Sequence, residues 1–436
     1  MAPFEIGLLG VGTLLLLMFL RIPIALSLTA VSFIGIFWIR GEQAAFGALA
    51  SIPYDFTAHW TLSAIPMFLL MGGIASHSGL TAGLFDAARA WLGRLPGGLA
   101  VATNFAGAGF AAASGSSLAT TAAMGRIAVP EMLRLGYNPS LATGVAAAVG
   151  TLGAIIPPSI LIVLYAVFAQ APVGKLLIGG ILPGFLTALC YAVMIVVRSS
   201  LNPSLAPPVH ETYSLRERLS LVVTIWPLPI LVIGVIGSIY SGLASATEAA
   251  ALGALIATLV AAVQGRFSWS VLSNSLRDAV TGTAMIFLIA IGASLFTRFL
   301  AFTGIPFQLT EYVVGLSLDV STILIMTGLV YLVLGMFLDP LGVMLLTLPI
   351  LLPILDALDV SLIWVGILLV KYMEIGMLTP PVGLNVFVLK GVVGNSISLG
   401  TIYKGVAWFL LAELIVVSLL ILFPQITLFL PSVMSD

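Results

Sequence analysis

Long runs of apolar residues, separated by short polar connections, dominate the chain. A helix that crosses a bilayer needs about 20 mostly apolar residues. By that ruler the runs near 4–20, 22–39, 63–79, 140–168, 176–197, 221–240, 243–264, 282–301, 360–392 and 406–430 read as crossings. Two further stretches are apolar but do not read as simple spans: 97–134 is rich in Gly, Ala and Ser, and 319–356 is broken at Asp339-Pro340. Both are read as helical hairpins that enter and leave on one side, with full crossings as the alternative. Segments 81–94 and 268–281 have amphipathic spacing and are expected as helices lying on the membrane surface. The first run is preceded by Glu5 rather than a Lys/Arg cluster, so it reads as a retained helix and not a signal peptide.

Composition narrows the class. Of 436 residues, 60% are hydrophobic and 8% are charged, against about 25% charged in an ordinary soluble domain. Too few charges are present to cover a water-facing surface, and a net charge of −1 has no basic excess for nucleic acid. What remains is an all-α polytopic membrane protein, each backbone polar group bonded within its own helix. Loop charges orient it. With the N-terminus outside, twelve of the sixteen cations, among them Arg21, Arg89, Arg126, Arg216 and Lys404, fall on the cytoplasmic side. Arg40, Lys175 and Arg298 fall outside and Lys371 is embedded. That is a positive-inside bias. The single cysteine, Cys190, lies in an apolar run, and the three histidines, His59, His77 and His210, are scattered without metal-ligand spacing.

An internal repeat emerges at an offset of 223 residues. Pro130 falls on Pro353, Gly153 on Gly376, Pro157 on Pro380, Pro158 on Pro381 and Ser116 on Asp339. Gly and Pro mark backbone breaks, so their coincidence carries more than leucine matches would. Each half then holds five crossings and one hairpin. Five is odd, so the second half is expected upside down relative to the first, as in secondary transporters. The polar stretch 199–220 joins the halves as a cytoplasmic linker.

The breaks suggest chemistry. Pro157-Pro158 and Pro380-Pro381 interrupt apolar runs and free carbonyls from helical bonding. Such carbonyls suit a hard cation, and the half-helix that follows points its positive end at the same space, which suits an anion. Hydroxyls at the first tip, Ser114, Ser116 and Ser117, add oxygen ligands, although small residues also serve plain helix packing. Asp339 is a carboxylate at membrane depth, costing roughly 2.5–3.5 kcal/mol on the insertion scale. It reads as functional, as an N-cap for the second leg, or as both. Asn385 is a further buried polar candidate. Lys371 and Glu374 are three residues apart and are expected to pair on one helix face. Glu248 and Glu413 lie in or near spans, Glu248 as a helix cap. No His-Glu-x-x-His pair or phosphate-binding glycine loop is present, so an intramembrane enzyme and an ATPase are disfavoured; no enzymatic activity is expected. An ion or solute channel is the other alternative.

The ordered motifs Ser114-Gly115-Ser116-Ser117-Leu118-Ala119-Thr120, Ile155-Ile156-Pro157-Pro158-Ser159, Thr247-Glu248-Ala249-Ala250, Phe337-Leu338-Asp339 and Leu378-Thr379-Pro380-Pro381-Val382-Gly383-Leu384-Asn385 resemble the large membrane subunit of TRAP (tripartite ATP-independent periplasmic) transporters. The similarity runs from the first span to the last. It implies an inverted-repeat, elevator-type fold of the ion-transporter superfamily in the cytoplasmic (inner) membrane. It also implies sodium-coupled import of organic acids, delivered by a periplasmic binding protein, with a small four-helix membrane subunit as a separate chain. The expected division is scaffold at 1–62 and 221–281, and transport-domain halves at 63–198 and 282–436. Carried over by motif, sodium ligands are expected from Ser114, Ser116, Gly150, Gly153 and Pro157 in the first half. Asp339, Gly376 and Thr379 supply those of the second. Substrate is expected near Ser117, Ser159, Asp339 and Asn385. Sodium is the only metal implied, and no cofactor is.

Overall fold

The computed structural model describes residues 1–208 and 213–434, so His210 and part of the linker lie outside the described residues. Every regular element among them is helical. Six helices are long and apolar enough to cross a membrane, or up to eight if two bent pairs each count as one span. Ten crossings were expected. The helices Pro3–Phe19 and Ile24–Arg40 are apolar but 17 residues long, and the run near 360–392 is split by an irregular segment between Leu362–Gly376 and Leu384–Val393.

Two helices meet at a short turn at each place where the apolar pattern broke, and Pro340–Ala357, the second leg of the second pair, is itself one of the six helices long and apolar enough to cross. The first pair consists of Gly98–Ser114 and Ser117–Arg134, the second of Val320–Gly335 and Pro340–Ala357. Each second leg starts on a side-chain cap: Ser116 accepts from the Ala119 amide and Asp339 from the Gly342 amide. These bonds satisfy amides that a helix start leaves without partners. Asn138 and Ser361 cap the next helices, following left-handed Gly136 and Asp359. Under the 223-residue offset Ser116 lands on Asp339, Gly136 on Asp359, Asn138 on Ser361, and Ser117–Arg134 on Pro340–Ala357. Pro157-Pro158 and Pro380-Pro381 both carry cis peptide bonds. Glu248 closes a capping box with Ser245, the cap role expected of it.

One surface helix expected from the pattern is absent. Residues 268–281 do not form a separate element but open the 35-residue helix Trp269–Thr303. The buried stripe Ser275, Ala279, Ile286, Ala290, Ala293 and Leu300 keeps one helical phase throughout, so nothing in the sequence interrupts the turn. This helix packs on Ile24–Arg40 and on Ala64–His77, and Ala246–Val263 packs on Ala64–His77 as well. The segment 81–94 does form a short amphipathic helix, Leu84–Leu92, which Arg89 ties to Glu131 at the end of the first hairpin at 2.6 Å.

Several of the cations are tied to neighbouring helices. Arg266 donates to the Gly79 carbonyl at 2.8 Å, and Arg198 lies over the Trp408 ring at 4.2 Å. Arg40 lies over Phe302. Phe19, Leu201, Leu243 and Val263 are exposed on the outer surface, the arrangement expected where the solvent is hydrocarbon.

Close helix approach relies on small residues. Pro139–Ile155 crosses Leu399–Leu422 at Gly144 and Gly405, and a Cβ on Gly405 would meet the Ser140 carbonyl oxygen. The variant Gly405→Val is expected to lose about 1–3 kcal/mol through overpacking. Its melting temperature in detergent measures this, and an unchanged value contradicts the contact.

Candidate functional site

The first tip is seated on the first break. Gly115 adopts φ +61, and a Cβ there would lie 2.5 Å from the Pro158 carbonyl oxygen. Only glycine meets both conditions. Across the same interface, a Cβ on Gly153 would meet the Ser116 carbonyl group at 2.7 Å. The tip residues Gly115 and Ser116 thus lie against Pro158 and Gly153 of the break. The Ser114 hydroxyl lies 3.2 Å from that of Thr120. The break itself follows from Pro157 and Pro158, which have no amide hydrogen to continue the helix. The last helical bond before it runs from Ile156 to Leu152, and the first after it from Val163 to Ser159.

Ser159 is wholly buried, and its hydroxyl is engaged inside the break: it donates to the Ala154 carbonyl and accepts from the Ile162 amide. Ser117 is also buried, and its hydroxyl donates to Glu374 at 2.7 Å. Asn385 is wholly buried as well; its backbone amide donates to the Met377 carbonyl at 3.1 Å. Gly150 faces it: a Cβ there would lie 2.9 Å from the Asn385 amide nitrogen and from the Ser117 carbonyl oxygen, and nearer still to the Thr121 hydroxyl.

The second break is more open. Pro380 and Pro381 are exposed and Thr379 is half-buried, its hydroxyl donating to the Ile375 carbonyl. Tyr403 donates to the carbonyls of both Pro381 and Val382, at 2.9 and 2.6 Å. Gly376 lies against Gly335, where a Cβ would come 2.7 Å from the facing Cα, so the second hairpin's first leg rests on the second break. Asp339 is half-buried at the tip, beside Ile24. That tip borders a cavity of about 450 Å³ lined by Arg21, Phe19, Leu334 and Phe337.

The expected Lys371–Glu374 pair is not formed. Lys371 turns instead to Glu413, with its ammonium 2.6 Å from the carboxylate, and both side chains are wholly buried. Tyr191 donates to the same carboxylate and Lys371 also reaches Thr187 at 3.2 Å. Helical spacing spoke only for neighbours on one helix, whereas a charge in a dry core takes the best partner from any helix. Tyr191 and Tyr403 had no sequence signal beyond being aromatic residues in apolar runs. Among the described residues no three His, Cys, Asp or Glu side chains cluster as metal ligands. The oxygens gathered at the tips are hydroxyls, carbonyls and one carboxylate, the donor set of a hard cation. His77 pairs with Asp278 at 2.7 Å. His59 and Asp55 line a separate cavity of about 640 Å³ beyond the end of Ile160–Phe168.

The family model for the tripartite ATP-independent periplasmic transporter DctM component matches residues 11–426. The chain belongs to this family. It is 38% identical to the C4-dicarboxylate TRAP transporter large permease protein DctM of Pseudomonas aeruginosa, over 88% of this chain and 89% of that protein. It is 30% identical to the sialic acid TRAP transporter permease protein SiaT of Haemophilus influenzae, over 96% of this chain and 67% of that protein. The isethionate TRAP transporter permease protein DctMQ of Oleidesulfovibrio alaskensis is 33% identical over 81% of this chain and 57% of that longer protein. In fold the chain is similar to the Alcanivorax borkumensis YdaH transporter, with a TM-score of 0.66, 14% identity, and coverage of 88% and 90% of the two chains. These relatives are membrane permeases, not enzymes. For a DctM-family core held by one buried ion pair, Lys371→Met alone is expected to cost about 3–5 kcal/mol, and adding Glu413→Met to recover most of it. Melting curves of the two purified variants test this, and equal melting temperatures contradict it.

Proposed function

We propose that this chain is the large permease subunit of a sodium-coupled importer of organic acids in the inner membrane. The observation that carries this reading is the seating of each hairpin on a helix break, Gly115 on Pro158 and Gly335 on Gly376. At the first, the Pro158 and Ser116 carbonyls lie beside Ser159, the cap of the half-helix Ile160–Phe168, a combination suited to a cation and an anion side by side. The relatives named for C4-dicarboxylate, sialic acid and isethionate are all named for organic anions. A periplasmic binding protein delivers the substrate. A small membrane subunit is a separate chain, which accords with the greater length of the DctMQ relative.

In this reading the two halves are inverted repeats of an elevator. Recurrence of caps at the 223-residue offset supports it. We assign Ala64–His77 and Trp269–Thr303 to the scaffold with 1–62 and 221–281, a reading supported by the packing of Trp269–Thr303 on Ile24–Arg40 and of Ala64–His77 on Ala246–Val263. With the N-terminus outward, the contact of the second tip with Ile24, near the Arg21 turn, supports reading this conformation as inward-facing. Sodium is held by Ser114, Ser116, Gly150, Gly153 and Pro157 in the first half and by Asp339, Gly376 and Thr379 in the second. Substrate binds beside the tips against Asp339 and the second break. Ser117, Ser159 and Asn385, being buried, support that surface from behind.

Uptake into proteoliposomes with the small subunit and the binding protein is expected to require a sodium gradient; equal uptake in choline removes the coupling. Asp339→Asn retains a capping side chain, yet uptake is expected to fall roughly tenfold or more for loss of a charge-assisted contact. Wild-type uptake in that variant leaves Asp339 as a cap alone. With Cys190→Ser as background, Ile24→Cys and Gly342→Cys are expected to cross-link and to arrest uptake until reduced. Full uptake while cross-linked contradicts a moving hairpin.

A further inference from the structure

The Lys371–Glu413 pair leaves one carboxylate unexplained. Lys371, Glu374 and Glu413 are the wholly buried charged side chains among the described residues, and the first and third neutralise each other. Glu374 has no cation at ion-pair distance among the described residues. One of its oxygens accepts from Ser117, and the other, Oε2, is buried without a hydrogen-bond partner. A buried carboxylate in that condition either takes up a proton or is matched by a counter-charge, and the incomplete polar groups beside it point to the second.

A second group nearby is also incomplete. Asn385 is wholly buried, and neither its side-chain nitrogen nor its side-chain oxygen has a partner among the described residues. Its amide stands over Gly150, next to the Ser117 carbonyl and the Thr121 hydroxyl. Half a turn of the amide would set its oxygen beside those two. Three oxygens then gather over Gly150, one Ser117 side chain away from Glu374.

The repeat makes the pattern intelligible. At the second tip the carboxylate is Asp339, and the offset puts Ser116 in its place at the first. The first tip thus lacks a charge that the second possesses. Glu374 has Thr151 as its counterpart under the same offset, so no carboxylate reaches the second tip from the corresponding position of the first half.

We propose that Glu374 is the counter-charge and positioning residue of the first hairpin's cation site. Its carboxylate holds Ser117, and through it the tip, and it offsets the charge of a monovalent alkali cation bound between the tip and the first break. Each tip is then served by one carboxylate, and the first site is completed by a residue of the second half. This rests on the sodium-coupled reading above.

The test is sodium-dependent thermal stabilisation of the purified full chain, titrated against choline at constant ionic strength. Glu374→Gln keeps the shape and removes the charge. Its half-maximal sodium concentration is expected to rise roughly fivefold or more, the range of coupling between linked sites. If Glu374→Gln does not yield a monodisperse chain, Ser117→Ala removes the donor instead and is expected to shift the midpoint in the same direction. A lower melting temperature in choline with an unchanged sodium midpoint marks a merely structural contact and overturns the proposal. A sodium-responsive wild type with a superimposable Glu374→Gln curve overturns it alone; a wild type indifferent to sodium overturns the coupling reading and this proposal together.

Discussion

Two opposite charges sealed in an apolar core, Lys371 and Glu413, are the constraint around which the molecule is arranged. Each is tolerable there only beside the other, because removing a charge from water costs several kcal/mol that a single hydrogen bond does not return. Their surroundings come from both halves: Thr187 and Tyr191 from the first, Lys371 and Glu413 from the second. Thr151, in the helix that leads into the first break, approaches the same carboxylate. Separating the halves would strip the pair of the hydroxyls of Thr187, Tyr191 and Thr151 and leave its spare lone pairs and protons in hydrocarbon. Those bonds tie the helix of the first break, through Thr151, to Glu413 and Lys371, and so link it to the helix of the second break.

Upon these linked helices the sites are built from backbone. Gly115 against Pro158, Gly153 against Ser116 and Gly335 against Gly376 all depend on the missing Cβ. Inside a bilayer lipid tails compete with apolar side chains on equal terms, so contact is won by close approach and by hydrogen bonds. The same closeness gathers carbonyls and hydroxyls where the first tip meets its break. Packing and chemistry are thus served by the same small residues, which is why glycine and serine in the first hairpin could not be assigned to either from composition alone.

Local features were readable along the chain because they are properties of neighbouring residues. The limits of both hairpins, the two proline breaks, the caps at Ser116 and Asp339 and the box at Glu248 each depend on a few consecutive side chains. Apolar periodicity also announced the helices, but it misjudged Trp269–Thr303, where a change from amphipathic to apolar character was taken as a change of element. The phase of the buried stripe ran through that change uninterrupted.

Partnership across helices was not readable in the same way. Residue spacing placed Glu374 opposite Lys371, yet the folded chain gives Lys371 to Glu413 and Glu374 to Ser117, 257 positions away. Tyr403 closing the second break and Ala64–His77 packing on Ala246–Val263 and Trp269–Thr303 are of the same kind. Sequence alone settled solvent, the limits of the hairpin legs, the recurring proline breaks and the family resemblance, since hydropathy and backbone chemistry act over short stretches. Tertiary structure alone decided which buried polar groups share a bond. That choice is made by desolvation energy, and desolvation depends on which helices come to surround a group.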